Sequence, residues 1–560
     1  MLKKIVIVLV FSFLTACQST PADHGVVQQQ AVASAHPMAT AAGMEILNKG
    51  GNAFDAAVAV SATLAVVEPY SSGLGGGGFW LLHRASDNKT IMVDGREEAP
   101  LRATRNMYLK PNGEVDPHAS INGPRAAGIP GEPAALVYIA RHYGKLPLAQ
   151  VLAPAIRAAR QGFRVTPHYR AMARFRLKVL RRSSAAAATF LEHNDVPHLG
   201  YRIKQPDLAG TLQAIAARGH AGFYAGPVAD KLIRGSRRAG GIWTQRDFRH
   251  YQVKLRAPQV IHYRGNTITT ASLPSSGGVV LAEMFNILSL QKNWSSLSPL
   301  MRTHYEIEAM RRAYRDRAQY LGDPAFVSVP VAHLTSLAYA RKLNASIQPD
   351  KATPSSALPA VYVHTSGHHT THFSIIDKYG NRVSATLSVN YPFGSCFVPP
   401  GTGVLLNDEM DDFSAKPGTP NVYGLIGAEA NAIAPGKRML SSMSPTFVEN
   451  RDRLAIIGTP GGSRIITMVF EGILAFIDGK SAKQIVAQPR FHHQYLPDVV
   501  QFEPGAFSPK MQADLQFMGY HLRELNRHYG NMQLVVVDKR DHQVTAASDP
   551  RVEGAADVSP

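Results

Sequence analysis

The sequence predicts an α+β protein in which helices and sheets form separate, stacked layers. Helix-forming segments dominate between residues 130 and 345, and strand-like segments dominate from residue 370 onward. Such segregation is typical of stacked helix and sheet layers. The 560 residues are 45% hydrophobic and only 18% charged, which excludes a disordered chain. The length allows roughly two to four domains or one large layered unit.

The first 16 residues are similar to a bacterial lipoprotein signal peptide. Two lysines precede an apolar run at 5–13, and Leu14-Thr15-Ala16-Cys17 follows. The run is too short to span a membrane but suits a signal peptide. In bacterial lipoproteins the cysteine of this box, here Cys17, is lipidated and becomes the N-terminus. The alternative is an ordinary secretory signal with a chance cysteine.

The resemblance also implies a location. Gln18, rather than an aspartate, follows the cysteine, and this favours an outer-membrane lipoprotein of the cell envelope, facing the periplasm or the surface. Residues 17–34 are rich in Gln, Ser and Ala and predict a flexible tether. Two cysteines are too few for a disulfide scaffold or a Cys-based zinc framework. If Cys17 is lipidated, Cys396 has no partner within the chain, and we expect no disulfide.

Hydrophobic periodicity and turn residues predict the remaining elements. Gly50-Gly51-Asn52 ends the first helix as a glycine cap does, and Glu68-Pro69 ends the second. In chain order we expect helices at 38–49 and 53–67, strands at 79–82 and 90–94, mainly helix over 130–345 with two short strands joined at Gly265-Asn266 and a helix opened by 275–278, strands at 370–377 and 382–389, two strands within 446–458, and a helix at 466–477.

The net charge of +18 is unevenly distributed along the chain. Residues 1–369 hold 42 Lys and Arg against 22 Asp and Glu, whereas residues 370–560 hold 17 against 19. The densest basic stretch, 170–182, indicates either a membrane-surface or anion-binding helix or a solvated helix face. No zinc finger, RNA-binding signature or basic heptad region accompanies the charge, so we expect no nucleic-acid partner.

Two further patterns suggest a phosphate-binding loop and a metal site, but the residue spacing argues against both. The glycine runs at 75–78 and 458–464 lack the spacing and Lys-Ser/Thr of a phosphate loop, so they predict tight turns with close backbone approach. A histidine cluster suggests a metal-binding site. However, adjacent histidines cannot share one helix face, and no carboxylate accompanies them. We therefore expect neither metal nor cofactor. The cluster consists of His364, His368, His369 and His372.

Thr370 is the first candidate for chemistry. It opens the strand-rich region directly after a polar, glycine-containing segment. A threonine hydroxyl is a weak nucleophile unless a base lies beside it, and a free α-amine on the same residue, with a pKa of about 7.7–8.0, is such a base. That arrangement requires cleavage of the chain before Thr370.

A series of motifs follows in order along the chain from about residue 35 to 554: GGNAFDAAVAVSATLAVVEPYSSGLGGGGF, DGREEAP, GIPGEP, SLPSSGG, YLGDPAF, TTHFSIIDKYGNRVSATLSVNYPFGS, LLNDEMDDFSAKPG, PNVYGL, KRMLSSMSPTFV, GTPGGSRII, QPRFHHQ and ASDPR. In these motifs and their order the sequence resembles the γ-glutamyltransferase family, also called γ-glutamyltranspeptidases or glutathione hydrolases.

The resemblance implies an N-terminal-nucleophile hydrolase fold of four layers, αββα. It also implies a proenzyme that cleaves itself between His369 and Thr370. Residues 35–369 then form a large subunit and residues 370–560 a small catalytic subunit, and the two stay together as a heterodimer. The Thr370 hydroxyl would take a γ-glutamyl group from glutathione or a related compound and pass it to water, an amino acid or a dipeptide.

The family's site residues map onto this sequence one by one. Gly461 and Gly462 match the oxyanion-hole glycines. Arg96 matches the arginine that binds the donor α-carboxylate, and Ser441 and Ser442 match serines that assist it. The residues that hold the α-ammonium match Asn390, Glu409 and Asp412. Taken alone, the acidic run around Glu409 also fits a solvated turn or a weak Ca²⁺ site.

Tyr423 matches the aromatic residue of a loop that covers the donor pocket, which indicates the lidded bacterial type. One position departs from the family: Ser388 replaces the second threonine that hydrogen-bonds the nucleophile. Serine keeps the hydroxyl, so we expect activity with less rigid positioning. Two alternatives remain open, a same-fold acylase or poly-γ-glutamate-processing enzyme, and an inactive binding protein of the cell envelope.

Overall fold

The structure is a computed structural model that describes residues 28–359, 370–419 and 427–560. Its strands are β1 (Gln30–Ser34), β2 (Gly77–Arg84), β3 (Lys89–Gly95), β4 (Phe163–Arg164), β5 (Arg202–Ile203), β6 (Lys254–Arg256), β7 (Gln259–Tyr263), β8 (Asn266–Thr270), β9 (Thr371–Ile376), β10 (Arg382–Ser388), β11 (Thr446–Glu449), β12 (Arg453–Gly458), β13 (Phe491–His492), β14 (Val500–Phe502), β15 (Leu522–Glu524), β16 (Gln533–Asp538), β17 (Val544–Ser548) and β18 (Ala555–Ser559).

The helices, which lie mostly before residue 345, are α1 (Pro37–Asn48), α2 (Ala53–Val67), α3 (Glu132–Tyr143), α4 (Leu148–Gln161), α5 (Pro167–Leu180), α6 (Ser184–Phe190), α7 (Pro206–Arg218), α8 (Ala221–Tyr224), α9 (Gly226–Arg238), α10 (Gln245–His250), α11 (Gly277–Ser289), α12 (Pro299–Tyr320), α13 (Val331–Leu334), α14 (Leu337–Ala345), α15 (Ile465–Ile477), α16 (Ala482–Ala487) and α17 (Pro509–Phe517). The predicted helices and strands are confirmed, with ends shifted by a few residues.

Two sheets form the centre of the molecule. The first has seven strands in the order β18-β1-β9-β10-β2-β3-β6, and the second has six in the order β17-β16-β12-β11-β8-β7. In both sheets, strands from before residue 370 pair with strands from after it. Segments distant in sequence therefore depend on each other for their backbone hydrogen bonds.

The two sheets face each other through small polar side chains. Ser374 Oγ on β9 donates to the carbonyl of Gln533 on β16 at 3.0 Å. Ser384 Oγ on β10 donates to the carbonyl of Ile457 on β12 at 3.1 Å. Because these hydroxyls find backbone acceptors on the opposite sheet, they can be buried without a large penalty.

Helices cover the outer face of each sheet. One apolar core joins α1, α2, α3 and α4 to side chains such as Trp80 on β2 and Phe373 on β9. A second core joins α11, α12 and α15 to side chains such as Phe447 on β11 and Ile456 on β12. The molecule is therefore the four-layer αββα arrangement that the resemblance implies.

The glycine run before β2 is explained by close backbone approach, as predicted. A Cβ on Gly75 would lie 2.0 Å from the carbonyl oxygen of Leu405. Such an approach is open only to glycine, and it allows Asn407 to reach this segment. The Asn407 side chain donates to the carbonyl of Gly75 at 2.6 Å.

One sequence-based expectation is wrong. We predicted a flexible tether over residues 17–34, but Gln30–Ser34 form β1, a fully buried strand between β18 and β9. The alternating small and branched residues Ala31, Val32 and Ala33 suit this position because both faces of the strand are covered. The local composition gave no sign of pairing with a strand more than 300 residues away.

The basic helix α5 has the predicted solvated face, and one of its arginines has a structural role that neither prediction included. Arg174 and Lys178 are exposed, as a solvated face requires. Arg176 instead is buried, and it donates to the carbonyl of Gly394 at 2.9 Å and to Cys396 Sγ at 3.2 Å. It therefore fixes the loop that follows β10. Within the described ranges, no helix has the length and apolar character needed to cross a membrane.

Candidate active site

Thr370 immediately precedes β9, an interior strand of the first sheet. Its side chain is 7% exposed. The antiparallel register of β9 and β10 pairs Thr371 with Leu387, and this places Ser388 beside Thr370. The two hydroxyl oxygens are 3.4 Å apart. The predicted contact between the candidate nucleophile and the serine of the family's second threonine position is thus present.

Ser388 also shapes the turn that carries Asn390. Its Oγ accepts the backbone N–H of Asn390 at 2.7 Å. Asn390 has φ +76, a left-handed conformation that asparagine adopts more readily than most residues. Its side-chain amide donates to the carbonyl of Asp408 at 3.0 Å. Asn390, just after β10, is thereby held close to Thr370, just before β9.

Arg96, just after β3, is fully enclosed by acceptors. It forms 2.5 Å ion pairs with Glu409 through Nη1 and with Asp412 through Nη2. Its Nε donates to the carbonyl of Met439 at 3.3 Å. The residues predicted to bind a carboxylate and an ammonium therefore bind each other in this structure.

The acidic residues around Arg96 are unusually buried. Glu409 is 1% exposed and Glu97 is fully buried beside it. Burial is the largest cause that raises the pKa of Glu409, and the guanidinium of Arg96 opposes it. Burial likewise raises the pKa of Glu97, with further repulsion from Glu409. Two carboxyls with raised pKa values and one guanidinium in a single enclosed site are typical of a site built for a charged ligand.

The two predicted serines follow one another in the loop before β11. The Ser441 carbonyl accepts the backbone N–H of Ser276 at 2.8 Å and its hydroxyl at 2.6 Å. Ser442 Oγ accepts a hydrogen bond from Arg317 Nη2 at 3.2 Å. Residues of the segment before position 370 therefore hold these serines in place.

The glycines predicted for the oxyanion hole lie after β12. Gly461 has φ +148 and Gly462 has φ +57, both in the region that favours glycine. A Cβ on Gly461 would come within 2.4 Å of the methyl carbon of Met468. Gly462 begins a short 3-10 turn that leads directly into α15, a position where backbone N–H groups are not consumed by the helix.

One pocket collects these residues. It is lined by Arg96, Arg317, Thr370, Ser388, Asn390, Glu409, Asp412, Ser441, Ser442, Met443, Gly462 and Ile465. Gly461 adjoins it through Gly462. Cys17, His369 and Tyr423 lie outside the described residues, so the lipidation, cleavage and lid predictions stay predictions.

Three lining residues were missed by sequence reasoning: Arg317, Met443 and Ile465. Arg317 carried a signal that could have been used. On α12, Arg311 and Arg312 have Glu308 one turn before them, whereas Arg317 has no acidic residue three or four positions away in either direction. An arginine that is buried but has no acidic partner on its own helix indicates a role other than an ion pair within the helix.

Of the four clustered histidines, only His372 lies within the described residues. His372 is buried, and its Nδ1 lies 2.8 Å from Thr386 Oγ1. No group of three or more potential metal ligands occurs among the described residues. The acidic run near Glu409 is engaged with Arg96 rather than arranged as a solvated turn.

The arrangement combines a nucleophile with paired charges. The threonine hydroxyl, two guanidinium groups, two carboxylates and three serines converge within one small pocket. Such a set suits a zwitterionic head group whose carboxylate and ammonium need opposite partners.

Comparison with known proteins agrees with this geometry. The sequence profile of the family Gamma-glutamyltranspeptidase matches residues 39–559. The chain belongs to the gamma-glutamyltranspeptidase family. It is therefore an enzyme with the N-terminal-nucleophile hydrolase fold, as the sequence resemblance implied.

Relatives share much of the gamma-glutamyltranspeptidase chain. A glutathione hydrolase proenzyme from Pseudomonas sp. (strain A14) is 45% identical over 87% of this chain and 85% of its own. One from Pseudomonas aeruginosa is 40% identical over 96% of both chains. One from Escherichia coli (strain K12) is 39% identical over 97% of this chain and 95% of its own.

Solved structures share the fold. The cephalosporin acylase from Bacillus halodurans has a TM-score of 0.83 at 28% identity, covering 98% of this chain and 99% of its own. The γ-glutamyltranspeptidase of Helicobacter pylori has a TM-score of 0.56 at 39% identity. It matches 58% of this chain but 94% of its own.

Proposed function

We propose that this protein cleaves the γ-glutamyl amide bond of glutathione and related compounds through an ester on Thr370. The γ-glutamyl group then passes to water or to the amine of an amino acid or peptide. The observation that carries the proposal is the pocket in which Thr370 meets Arg96, Glu409 and Asp412. Relatives that share 40–45% of its residues are named glutathione hydrolase proenzymes.

The proposal includes maturation by cleavage of the His369–Thr370 peptide bond. Hydrolysis of this bond frees the α-amine of Thr370, which becomes the base for its own hydroxyl. The coverage of the Helicobacter pylori relative supports two separate chains, because 58% of this protein accounts for 94% of the matched chain.

In the reaction the Thr370 oxygen attacks the γ-carbonyl carbon and its proton moves to the α-amine. The carbonyl oxygen becomes negative, and the backbone N–H groups near Gly461 and Gly462 are the proposed donors to it. Such donors contribute about 2.7–4 kcal/mol each in other enzymes. The leaving amine takes the proton, and the incoming water or amine then breaks the ester in the same way.

The α-amino acid end of the donor is the part that Arg96 would recognise. An incoming α-ammonium competes for Glu409 and Asp412, and an incoming α-carboxylate competes for the guanidinium. The existing ion pairs are therefore exchanged for pairs with the ligand, with Asn390 and the two serines adding hydrogen bonds. Tyr423 is proposed to close over the donor as a lid.

This charge pattern separates γ-glutamyl donors from the acylase alternative. A glutaryl amide has the same carboxylate but no α-ammonium, and it leaves Glu409 and Asp412 without a ligand cation. We expect kcat/KM for glutathione to exceed that for a glutaryl amide by at least about tenfold, since unpaired buried charges are costly. An equal or reversed preference would favour the acylase.

The decisive experiment compares the wild-type chain with Thr370→Ala and Thr370→Ser. We expect the wild type to appear as two subunits and to release the γ-glutamyl product. Thr370→Ala should stay at full length and be inactive because it lacks the hydroxyl. Thr370→Ser, the matched control, should be cleaved. A full-length, inactive wild-type protein would refute the proposal.

We further propose that the enzyme is an outer-membrane lipoprotein anchored through Cys17. The support is the signal-like sequence before this residue, and an acyl anchor gains about 0.8 kcal/mol per buried CH₂. Cys17→Ser should move the protein from the membrane fraction to the soluble one and remove the lipid mass. Cys396→Ser, at the buried cysteine, is the control and should not. A soluble, lipid-free wild type would disprove anchoring while leaving the enzymatic proposal intact.

A further inference from the structure

Arg317 is the second guanidinium that lines the pocket of Thr370, beside that of Arg96. We propose that Arg317 is a positioning residue for donor recognition, which fixes Ser441 and Ser442 and supplies positive charge for the donor α-carboxylate. This inference rests on the proposed function, because it concerns the same donor pocket.

The contacts of Arg317 lead to both predicted serines. Its Nη2 donates to Ser442 Oγ at 3.2 Å, and its Nε donates to Ser276 Oγ at 2.9 Å. Ser276 Oγ donates in turn to the Ser441 carbonyl at 2.6 Å. One planar guanidinium thus holds two consecutive residues of the loop before β11, directly and through one hydroxyl.

Carboxylates balance the charge of Arg96, whereas Arg317 has only hydroxyl partners among the described residues. Arg96 has ion pairs with Glu409 and Asp412. The side-chain hydrogen bonds of Arg317 within the described part of the chain go to two neutral hydroxyls, and no carboxylate oxygen there lies within ion-pair distance of it. The side chain is 4% exposed.

A buried cation bound only by hydroxyls favours a nearby anion. Asp412 already acts on Arg317 electrostatically at longer range. Once a donor ammonium engages Asp412, the donor carboxylate is the anion that would balance the charge of Arg317, while Ser442, held by Arg317, donates a hydrogen bond to it. A compact ammonium at position 317 could not hold both serine-linked hydroxyls in one plane, because arginine alone has the forked geometry.

A purely structural role is the competing explanation, since Arg317 also connects α12 with two loops. The two roles differ in kinetics. Loss of carboxylate recognition raises KM and the inhibition constant of free L-glutamate, with little change in kcat. General loosening around Thr370 lowers kcat and impairs cleavage without a selective effect on glutamate.

The experiment measures kcat and KM for a γ-glutamyl anilide, together with competitive inhibition by L-glutamate, in the mature heterodimer. The variants are Arg317→Met, Arg317→Lys and Arg302→Met. Arg302 is the control, because it lies on the same helix but donates to the carbonyl of Trp294 far from the pocket. Subunit formation on a denaturing gel reports folding.

For Arg317→Met we expect KM and the glutamate inhibition constant to rise together by about 10- to 100-fold, the scale of a lost hydrogen bond to a charged group. The value of kcat should stay within about threefold. Arg317→Lys should give an intermediate rise, and Arg302→Met should match wild type. If the Met variant does not mature, the Lys variant carries the test and must raise KM more than threefold.

An unchanged KM with lower kcat, or wild-type kinetics in both Arg317 variants, would overturn the inference and leave the proposed function standing. A wild-type protein that releases no γ-glutamyl product would overturn both.

Discussion

At the residue scale, the position of Ser388 is the feature that links the nucleophile to the binding loop. Its hydroxyl lies 3.4 Å from that of Thr370 and accepts the Asn390 backbone N–H at 2.7 Å. One oxygen therefore serves both the attacking group and a residue proposed to bind the donor ammonium. The methyl group of threonine is not needed for either contact.

This geometry leads to a prediction for Ser388. In Ser388→Ala the buried Asn390 N–H loses its acceptor, which costs about 1–3 kcal/mol. We expect kcat/KM for a γ-glutamyl donor to fall by about tenfold or more. Ser388→Thr keeps the hydroxyl and should stay within about threefold of wild type. Wild-type kinetics in the alanine variant would show that the contact with Thr370 has no catalytic value.

At the element scale, the end of α2 is tied to the catalytic strand by a buried acid. Glu68 follows α2 and is 4% exposed. Its carboxylate accepts the Thr371 hydroxyl at 2.7 Å, and the Tyr70 hydroxyl lies 3.5 Å away. Burial raises the pKa of Glu68 to about 7, with Glu553 adding repulsion. Thr371, the residue next to Thr370, therefore donates its hydroxyl hydrogen bond to a carboxyl group whose pKa is about 7.

The pKa of Glu68 predicts a pH-dependent stability. Because the folded-state pKa is above the ordinary value of 4.5, the protonated form contributes stability fully below pH 4.5, and this is lost as pH rises through about 7. The loss is at most about 3 kcal/mol. In Glu68→Gln it should be absent.

The measurement is urea unfolding at pH 5 and pH 8 with and without Glu68→Gln. The Thr370→Ala chain is the background, because a single uncleaved chain avoids subunit dissociation. We expect the midpoint to fall less between the two pH values in the Gln variant. Parallel falls in both chains would mean that other groups cause the dependence.

At the scale of the whole molecule, the two sheets join the segments on either side of the proposed cleavage point. β1 from the first segment lies between β18 and β9 of the second, β10 pairs with β2, and β11 pairs with β8. Separation of the segments would break four strand pairs and open both apolar cores.

We therefore predict that the cleaved protein remains one particle. In native mass spectrometry it should appear at the summed mass of its two subunits, and high salt should not separate them because apolar packing and backbone bonds are insensitive to screening. Denaturant should release both chains. Dissociation in salt alone would contradict the interleaved sheets.

The basic residues that give the chain its net positive charge have different roles in the folded molecule. The segment before residue 370 carries the excess of basic residues, yet some of these residues are structural. Arg176 holds the loop after β10, and Arg317 and Arg96 enter the pocket. Other basic residues of this segment, such as Arg174 and Lys178, are exposed, which agrees with the membrane anchor proposed for the protein.

The layered α+β class, most element positions and nine of the twelve pocket residues could be predicted from the sequence. Element positions follow from local periodicity and turn chemistry, and site residues such as Arg96 and Gly462 follow from the resemblance of ordered motifs to those of a known family. What lies within a few residues along the chain is visible in a single sequence.

Three features could be seen only in the tertiary structure. It placed β1 inside a sheet, it brought Arg317 to the pocket, and it paired Arg96 with Glu409 and Asp412. Each depends on contacts between segments that are tens to hundreds of residues apart. Local patterns do not encode such contacts, because strand partners and burial are set by the packing of the whole chain.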